Sequence, residues 1–254
     1  MSSSPVRSSS PLRSSSALRV VVTGSSSGIG LDAARRFLRA GASVVITGSD
    51  PDKLARAERS LEGGGRVHAV AGDVTEPTTA RRLADAARSH LGGLDVLVNS
   101  SGIFVPKPFL ETSIEELDRL LDVNVRGTYR ITQTLVPLMI EAGGGAIINL
   151  GTVLVSQGKV GVPVSAAMAS KGAVHALTVS WAAELAQHSI RVNTVAPSII
   201  RTPLIPDADA MIDWHPLGRV GEVEDTSEAI YYLATAPFVS GTVLEVDGGF
   251  AHGR

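Results

Sequence analysis

The segment "SAAMASKGAV", residues 165–174, carries a single lysine among small and apolar residues. Helical spacing puts Ala167 one turn before Lys171 on the same face. A lysine that shares its face with a tyrosine forms a proton-transfer pair, because the cation favours tyrosinate. A lysine beside an alanine does not. A second stretch with chemical content is "VVVTGSSSGIG", which places Gly24, Gly28 and Gly30 between a β-branched run and a helical pattern. Gly24 permits a tight turn, and Gly28 lets backbone approach a phosphate with no Cβ in the way. Gly30 lets the helix pack close to a strand. Free N–H groups and the positive helix end then face a diphosphate. The three-residue gap between Gly24 and Gly28 departs from the common G-x-G-x-x-G fingerprint, and such a turn alone also marks a merely tight loop.

These residues need elements to position them. From Ala17 onward, short β-branched runs ("LRVVVTG", "ASVVITG", "RVHAVAG", "LDVLVNS", "GAIINLG", "IRVNTVAP", "TVLEVDGG") alternate with helical patterns. The runs read as strands buried on both faces, and the helices as 29–39, 52–60, 77–90, 114–141, 166–187 and 224–235. This alternation predicts a doubly wound parallel sheet with helices on both faces, in one domain spanning 17–254. Ligands of such sheets bind beyond the carboxyl ends of the strands. Residues 1–16, "MSSSPVRSSSPLRSSS", repeat a Ser-rich, acid-free unit with nothing to bury and read as a disordered tail, although transit peptides share this composition.

Composition narrows the function classes. Hydrophobic residues at 44% and charged residues at 19% allow a large core. A net charge of −2 gives no electrostatic case for nucleic acid or an anionic membrane as partner. No apolar run reaches about 18 residues, so no membrane span is expected. The absence of cysteine excludes disulfides and thiolate metal sites and fits a reducing, cytoplasmic compartment. No metal site is expected.

Seven motifs in order carry a family resemblance. "TGSSSGIG" resembles the phosphate loop of the short-chain dehydrogenases/reductases, single-domain nicotinamide oxidoreductases that include ketoacyl and carbonyl reductases. "GDVT" (Asp73, Val74) is similar to the adenine-contacting Asp-Val, and "NSSG" (Asn99 to Gly102) to the N-N-A-G after the fourth strand. "DVNVRG" holds Asn124 at the place of an active-site asparagine. "RVNTVAPSIIRTP" is similar to the segment that cradles the nicotinamide, with Ser198 in place of the usual glycine. "PLGRVGEVED" and "SGTVLEVDGGF" match the C-terminal signature. The resemblance covers residues 19–250 and implies a Rossmann-type seven-stranded parallel sheet. It also implies cofactor contacts from Gly24, Ser26, Ser27, Gly28, Ile29, Gly30, Ser49, Asp73, Val74, Asn99, Gly102, Lys171, Pro197, Ile200 and Thr202.

The same resemblance implies a hydride-transfer site. In the family a tyrosine donates the proton, a lysine lowers its pKa and binds the ribose, a serine polarises the carbonyl, and an asparagine holds a water chain. Here Lys171 and Asn124 match, with a helix-bend residue that has satisfied backbone partners as the alternative for Asn124; Thr152 takes the serine's place with Ser156 as the alternative, and Ala167 stands at the tyrosine's position. Tyr129, Tyr231 and Tyr232 offer no convincing replacement. Three readings stay open: a Tyr→Ala variant made to stall turnover, a natural reductase of iminium ions or activated C=C bonds that needs no such acid, and a nicotinamide-binding sensor or scaffold. A phenol-sized cavity beside Ala167, walled by Thr152 and Lys171, is the expected trace of the missing ring.

Gly48 ends the second strand where NAD enzymes carry an acid, and Ser49 stands where NADP enzymes often carry arginine, so NADP(H) is favoured over NAD(H). Asp50 reads as a helix cap before Pro51, with a swing toward the ribose that would favour NAD as the alternative. Met211, Ile212 and Trp214 are candidates for an apolar or aromatic small-molecule substrate pocket, or for lid packing, and His215, within sequence reach of the site, reads as a loop residue rather than an acid. The family's pairing of two long helices across a two-fold, with a second contact through the last strand, implies a homotetramer.

Overall fold

The computed structural model describes residues 17–61 and 66–252. The tail 1–16 lies outside the described residues. Seven strands form one sheet: β1 (Arg19–Thr23), β2 (Ser43–Gly48), β3 (Arg66–Ala71), β4 (Val96–Asn99), β5 (Gly145–Leu150), β6 (Ile190–Pro197) and β7 (Val243–Val246). Their order is β3-β2-β1-β4-β5-β6-β7, and every pair is parallel. Winding reverses between β1 and β4, which opens a crevice beyond their carboxyl ends.

Alternation along each strand explains the two cores. Val20 and Val22 of β1 pack with Phe37, Ile46 and Ile230 on one face, while Val21 packs with Val45, Leu83, Leu135 and Ile147 on the other. The first face is covered by α1 (Gly28–Arg39), α2 (Pro51–Leu61) and α7 (Val223–Thr235). The second is covered by α3 (Pro77–Ala86), α5 (Thr128–Glu141) and α6 (Ser165–Glu184). With apolar groups needed on both faces, the central strands read as unbroken hydrophobic runs.

Two expectations change. β3 and β7 are the sheet's edges, so β7 is only partly buried along its whole length and β3 is exposed at Arg66, rather than buried on both faces. The helix expected over 114–141 is three pieces: α4 (Ile114–Leu121), a widened π turn at Asp122–Gly127, and α5. α4 begins with a capping box, in which Ser113 and Glu116 satisfy each other's backbone N–H groups. The π turn adds one residue to a helical circuit and turns Asn124 inward.

Candidate active site

A cavity of about 300 Å³ occupies the crevice beyond β1, β4, β5 and β6. Its floor is the turn from β1 into α1. Gly24 and Gly28 both take left-handed backbone, at φ +64° and +57°. A Cβ on Gly24 would lie 2.7 Å from Ser101 Cα, while one on Gly28 would stand within 3.4 Å of the Thr202 methyl across the cavity. Gly30 abuts the Gly24 carbonyl, so α1 can start there only without a side chain. Ser27 precedes the helix with no side-chain cap, leaving the first N–H groups of α1 directed at the cavity. This cradle fits a diphosphate.

The polar wall comes from β5, α6 and the loop after β4. Lys171 Nζ donates to the Leu150 carbonyl at 2.8 Å. Burial pushes the Lys171 ammonium down to about 8. Gly102 faces it, since a Cβ there would lie 3.2 Å from Nζ and 3.0 Å from Asn124 Oδ1. One turn beyond Lys171, His175 is held below the ordinary imidazole range by burial and then by the Lys171 charge. Its Nε2 is buried without a partner. Thr152 accepts from Leu154 N–H at 3.3 Å, which leaves its own hydroxyl proton free. Thr152 lines the cavity and Ser156 does not; Ser156 donates instead to Val153 O and to Glu245 Oε1 at 3.1 Å.

Asn124 behaves differently from the expected holder of a water chain. Its Oδ1 accepts from Ile103 N–H at 2.8 Å, and its Nδ2 donates to Ile103 O and to Ser170 Oγ, each at 2.9 Å. Both donors and the carbonyl are taken by protein, so the side chain clamps the loop after β4 onto α6. Ser170 in turn donates to the Ala167 carbonyl.

Ala167 itself has no exposed surface and is absent from the cavity wall. The phenol-sized space expected beside it does not open at its side chain. Thr152 and Lys171 share their wall with Phe104 and Leu154 instead. None of the three tyrosines compensates. Tyr129 packs edge-on to Trp181, Tyr231 lies under the Arg36 guanidinium, and Tyr232 is exposed.

Of the other cofactor candidates, Ser27, Ile29, Pro197, Ile200 and Thr202 line this cavity with the glycines. Asn99 does not; its amide donates to Thr132 Oγ1 of α5 and Asn149 Oδ1 of β5 in the core. Ser26 packs against Gly48, at 3.1 Å from where a Cβ would be, and Ser49 is exposed at the crevice edge. Asp73 is exposed and accepts from Thr75, while Val74 is buried against Gly127. Asp50 Oδ1 accepts from Asp52 and Lys53 N–H at 3.0 Å, so it caps α2.

On the apolar side, Trp214 lines the cavity but Met211 and Ile212 do not. Phe104, Leu204, Ile205 and Phe250 complete that wall. Sequence reasoning missed them because they come from three distant loops with no shared period. Only the position of Phe104, two residues beyond Gly102, held a signal. Among the described residues no group of His, Asp and Glu could hold a metal, and no helix is long and apolar enough to cross a membrane.

A glycine cradle at the switch point of a parallel sheet, with a lysine of α6 bonded to the end of β5, is the arrangement of a doubly wound dinucleotide-binding fold. Comparison with known proteins agrees. Residues 24–251 match the family model described as Enoyl-(Acyl carrier protein) reductase. The cis-4-hydroxycyclohexanecarboxylate dehydrogenase of Sinomonas cyclohexanicum is 38% identical over 91% of this chain and 95% of its own. The NADP-dependent (R)-specific alcohol dehydrogenase of Lentilactobacillus kefiri is 36% identical over 91% and 95%. The crystal structure of 3-ketoacyl-(acyl-carrier-protein) reductase from Brucella melitensis, complexed with NADH, superimposes with TM-score 0.85 at 32% identity, covering 91% of this chain and 97% of that one. The chain belongs to the short-chain dehydrogenase/reductase family.

Proposed function

We propose that this protein interconverts a secondary alcohol and a ketone of an apolar, alicyclic or aromatic substrate, with NADP(H) preferred to NAD(H). The observation that carries the reading is the single cavity wall on which the glycine cradle, Lys171, Thr152 and the aromatic groups of Phe104, Trp214 and Phe250 meet. The α1 end and its glycines would hold the diphosphate, Lys171 the nicotinamide ribose, and the 197–202 segment the nicotinamide, whose contribution when bound is hydride. Thr152 then donates a hydrogen bond to the substrate oxygen where negative charge develops. The apolar wall excludes water and orients the ring.

The cofactor preference rests on the end of β2. Gly48 presents no carboxylate to a ribose 2′-OH, and Asp50, the next acid, is spent on two backbone N–H groups of α2. The Asp50 carboxylate is thereby turned to the start of α2 rather than offered to a ribose 2′-OH. Fluorescence titration with NADPH and NADH tests the base of the reading: NADPH binding in the micromolar range and tighter than NADH is expected. If neither binds below millimolar, the reading fails. Ala167 in the tyrosine's place predicts slow turnover of ordinary ketones, since a positioned acid is worth roughly 10²–10⁴ in rate. The enclosed state of Ala167 favours a second reading, in which alanine is the working residue and the proton comes from elsewhere in the cavity.

A further inference from the structure

Ser198 follows the last residue of β6, where the family resemblance leads one to expect glycine, and its backbone N–H is fixed to the Val246 carbonyl at 3.1 Å. Its Oγ lies 3.0 Å from His215 Nε2. His215 is buried, with 4% of its surface exposed, and its Nδ1 lies 3.0 Å from the Met211 carbonyl. A carbonyl can only accept, so Nδ1 carries the proton and Nε2 accepts from the Ser198 hydroxyl. Backbone on both sides holds this geometry: His215 N–H donates to Ile212 O, and the Gly248 turn packs against the imidazole.

The pair also stands between two cavities. Ser198 stands in the wall shared by the cofactor cavity and a second cavity of about 320 Å³. His215 lines only the second one, together with Arg219, Asp225 and Glu245, whose side chains are partly exposed to water. The Ser198 hydroxyl thus stands between the two cavities, with the imidazole behind it as its hydrogen-bond acceptor.

Resting on the alcohol–ketone reading above, we propose that Ser198 and His215 are the proton relay of this site, in the role that no tyrosine fills. In oxidation the substrate hydroxyl gives its proton to Ser198 Oγ as that oxygen passes its own to His215 Nε2, while hydride leaves the carbinol carbon for oxidised nicotinamide. Once the ketone has left, Ser198 Oγ takes the Nε2 proton back as it gives its own to water in the second cavity, which Ser198 also lines. In reduction each transfer reverses, so the ketone gains one hydride and one proton. Ser198 is the catalytic residue of the pair, and His215 acts through it.

Four chains test the relay: the unchanged protein, Ser198→Ala, Ala167→Tyr and the double variant, each first shown to bind NADPH. The probe is cyclohexanone with NADPH. Ser198→Ala is expected to lower the kcat of the unchanged protein by roughly 10–10² with little change in the NADPH KM, and Ser198→Thr to recover most of it. In the Ala167→Tyr background the same change is expected to cost several-fold less, because a second donor then competes. Independently of turnover, ¹⁵N NMR of the protein without cofactor is expected to show His215 as the Nδ1–H tautomer, with an Nε2 signal that moves in Ser198→Ala. An Nε2–H tautomer, an unchanged kcat in Ser198→Ala, or an equal loss in both backgrounds overturns the relay alone. Turnover in none of the four chains overturns the alcohol–ketone reading and the relay with it.

Discussion

At the scale of single residues, Lys171 and Ala167 decide what the site can do. Restoring the phenol by Ala167→Tyr is expected to raise kcat for ketone reduction by roughly 10²–10⁴, since proton transfer belongs to the transition state. Steady-state kinetics on a ketone panel checks it. A fall instead of a rise marks the alanine as the working residue, with the ring filling space that the substrate or wall needs. Lys171 also leaves a signature in stability. Its folded pKa of about 8 lies below the unfolded value near 10.5, so the unfolded chain binds more protons between those two values. Stability from this group therefore rises with pH across that window and is lowest below about 8, by on the order of 3 kcal/mol. Urea unfolding of Lys171→Met at pH 7.5 and 10 is expected to lack that rise. The lysine was legible from its spacing to Ala167 and the family motif; its hydrogen bond to Leu150 and its enclosure were not.

At the scale of elements, the π turn between α4 and α5 matters most. It converts Asn124 from a residue on a helix face into a clamp that joins the loop after β4 to α6. Asn124→Ala would leave the part-buried Ile103 N–H and carbonyl without their side-chain partner, at about 1–3 kcal/mol. A lowered Tm together with weaker NADPH binding is expected, because Gly102 and Lys171 share this junction. A variant with unchanged Tm would show the clamp to be dispensable. The motif "DVNVRG" identified Asn124, but the widened turn leaves no mark in the apolar pattern, which runs unbroken from 114 to 141.

At the scale of the whole molecule, the outer surfaces of α5 and α6 are apolar where water would otherwise meet them. Val179 is 58% exposed, Tyr129 44% and Ile140 40%, and Phe238 after α7 is wholly exposed. Scattered singly these would mean little, but helices without a covering layer are surfaces for association. We propose a homotetramer built through this helix pair and the β7 edge. Multi-angle light scattering at micromolar concentration is expected to give four copies, and a monomer would remove the claim.

The sequence by itself determined the sheet, its parallel sense, the glycine cradle and the position of Lys171. Each is written locally, as a hydrophobic period, a turn that only glycine can make, or a residue at a fixed distance from a strand end. Only the tertiary structure decided that Asn99 serves the core, that Thr152 rather than Ser156 faces the cavity, and that Phe104, Trp214 and Phe250 form one wall. It alone brought Ser198 within a hydrogen bond of His215, seventeen residues later in the chain. Contacts of this kind depend on where β6, β7 and their loops end in space, and side-chain direction at a loop is set by packing from several elements, which no period or spacing along the chain records.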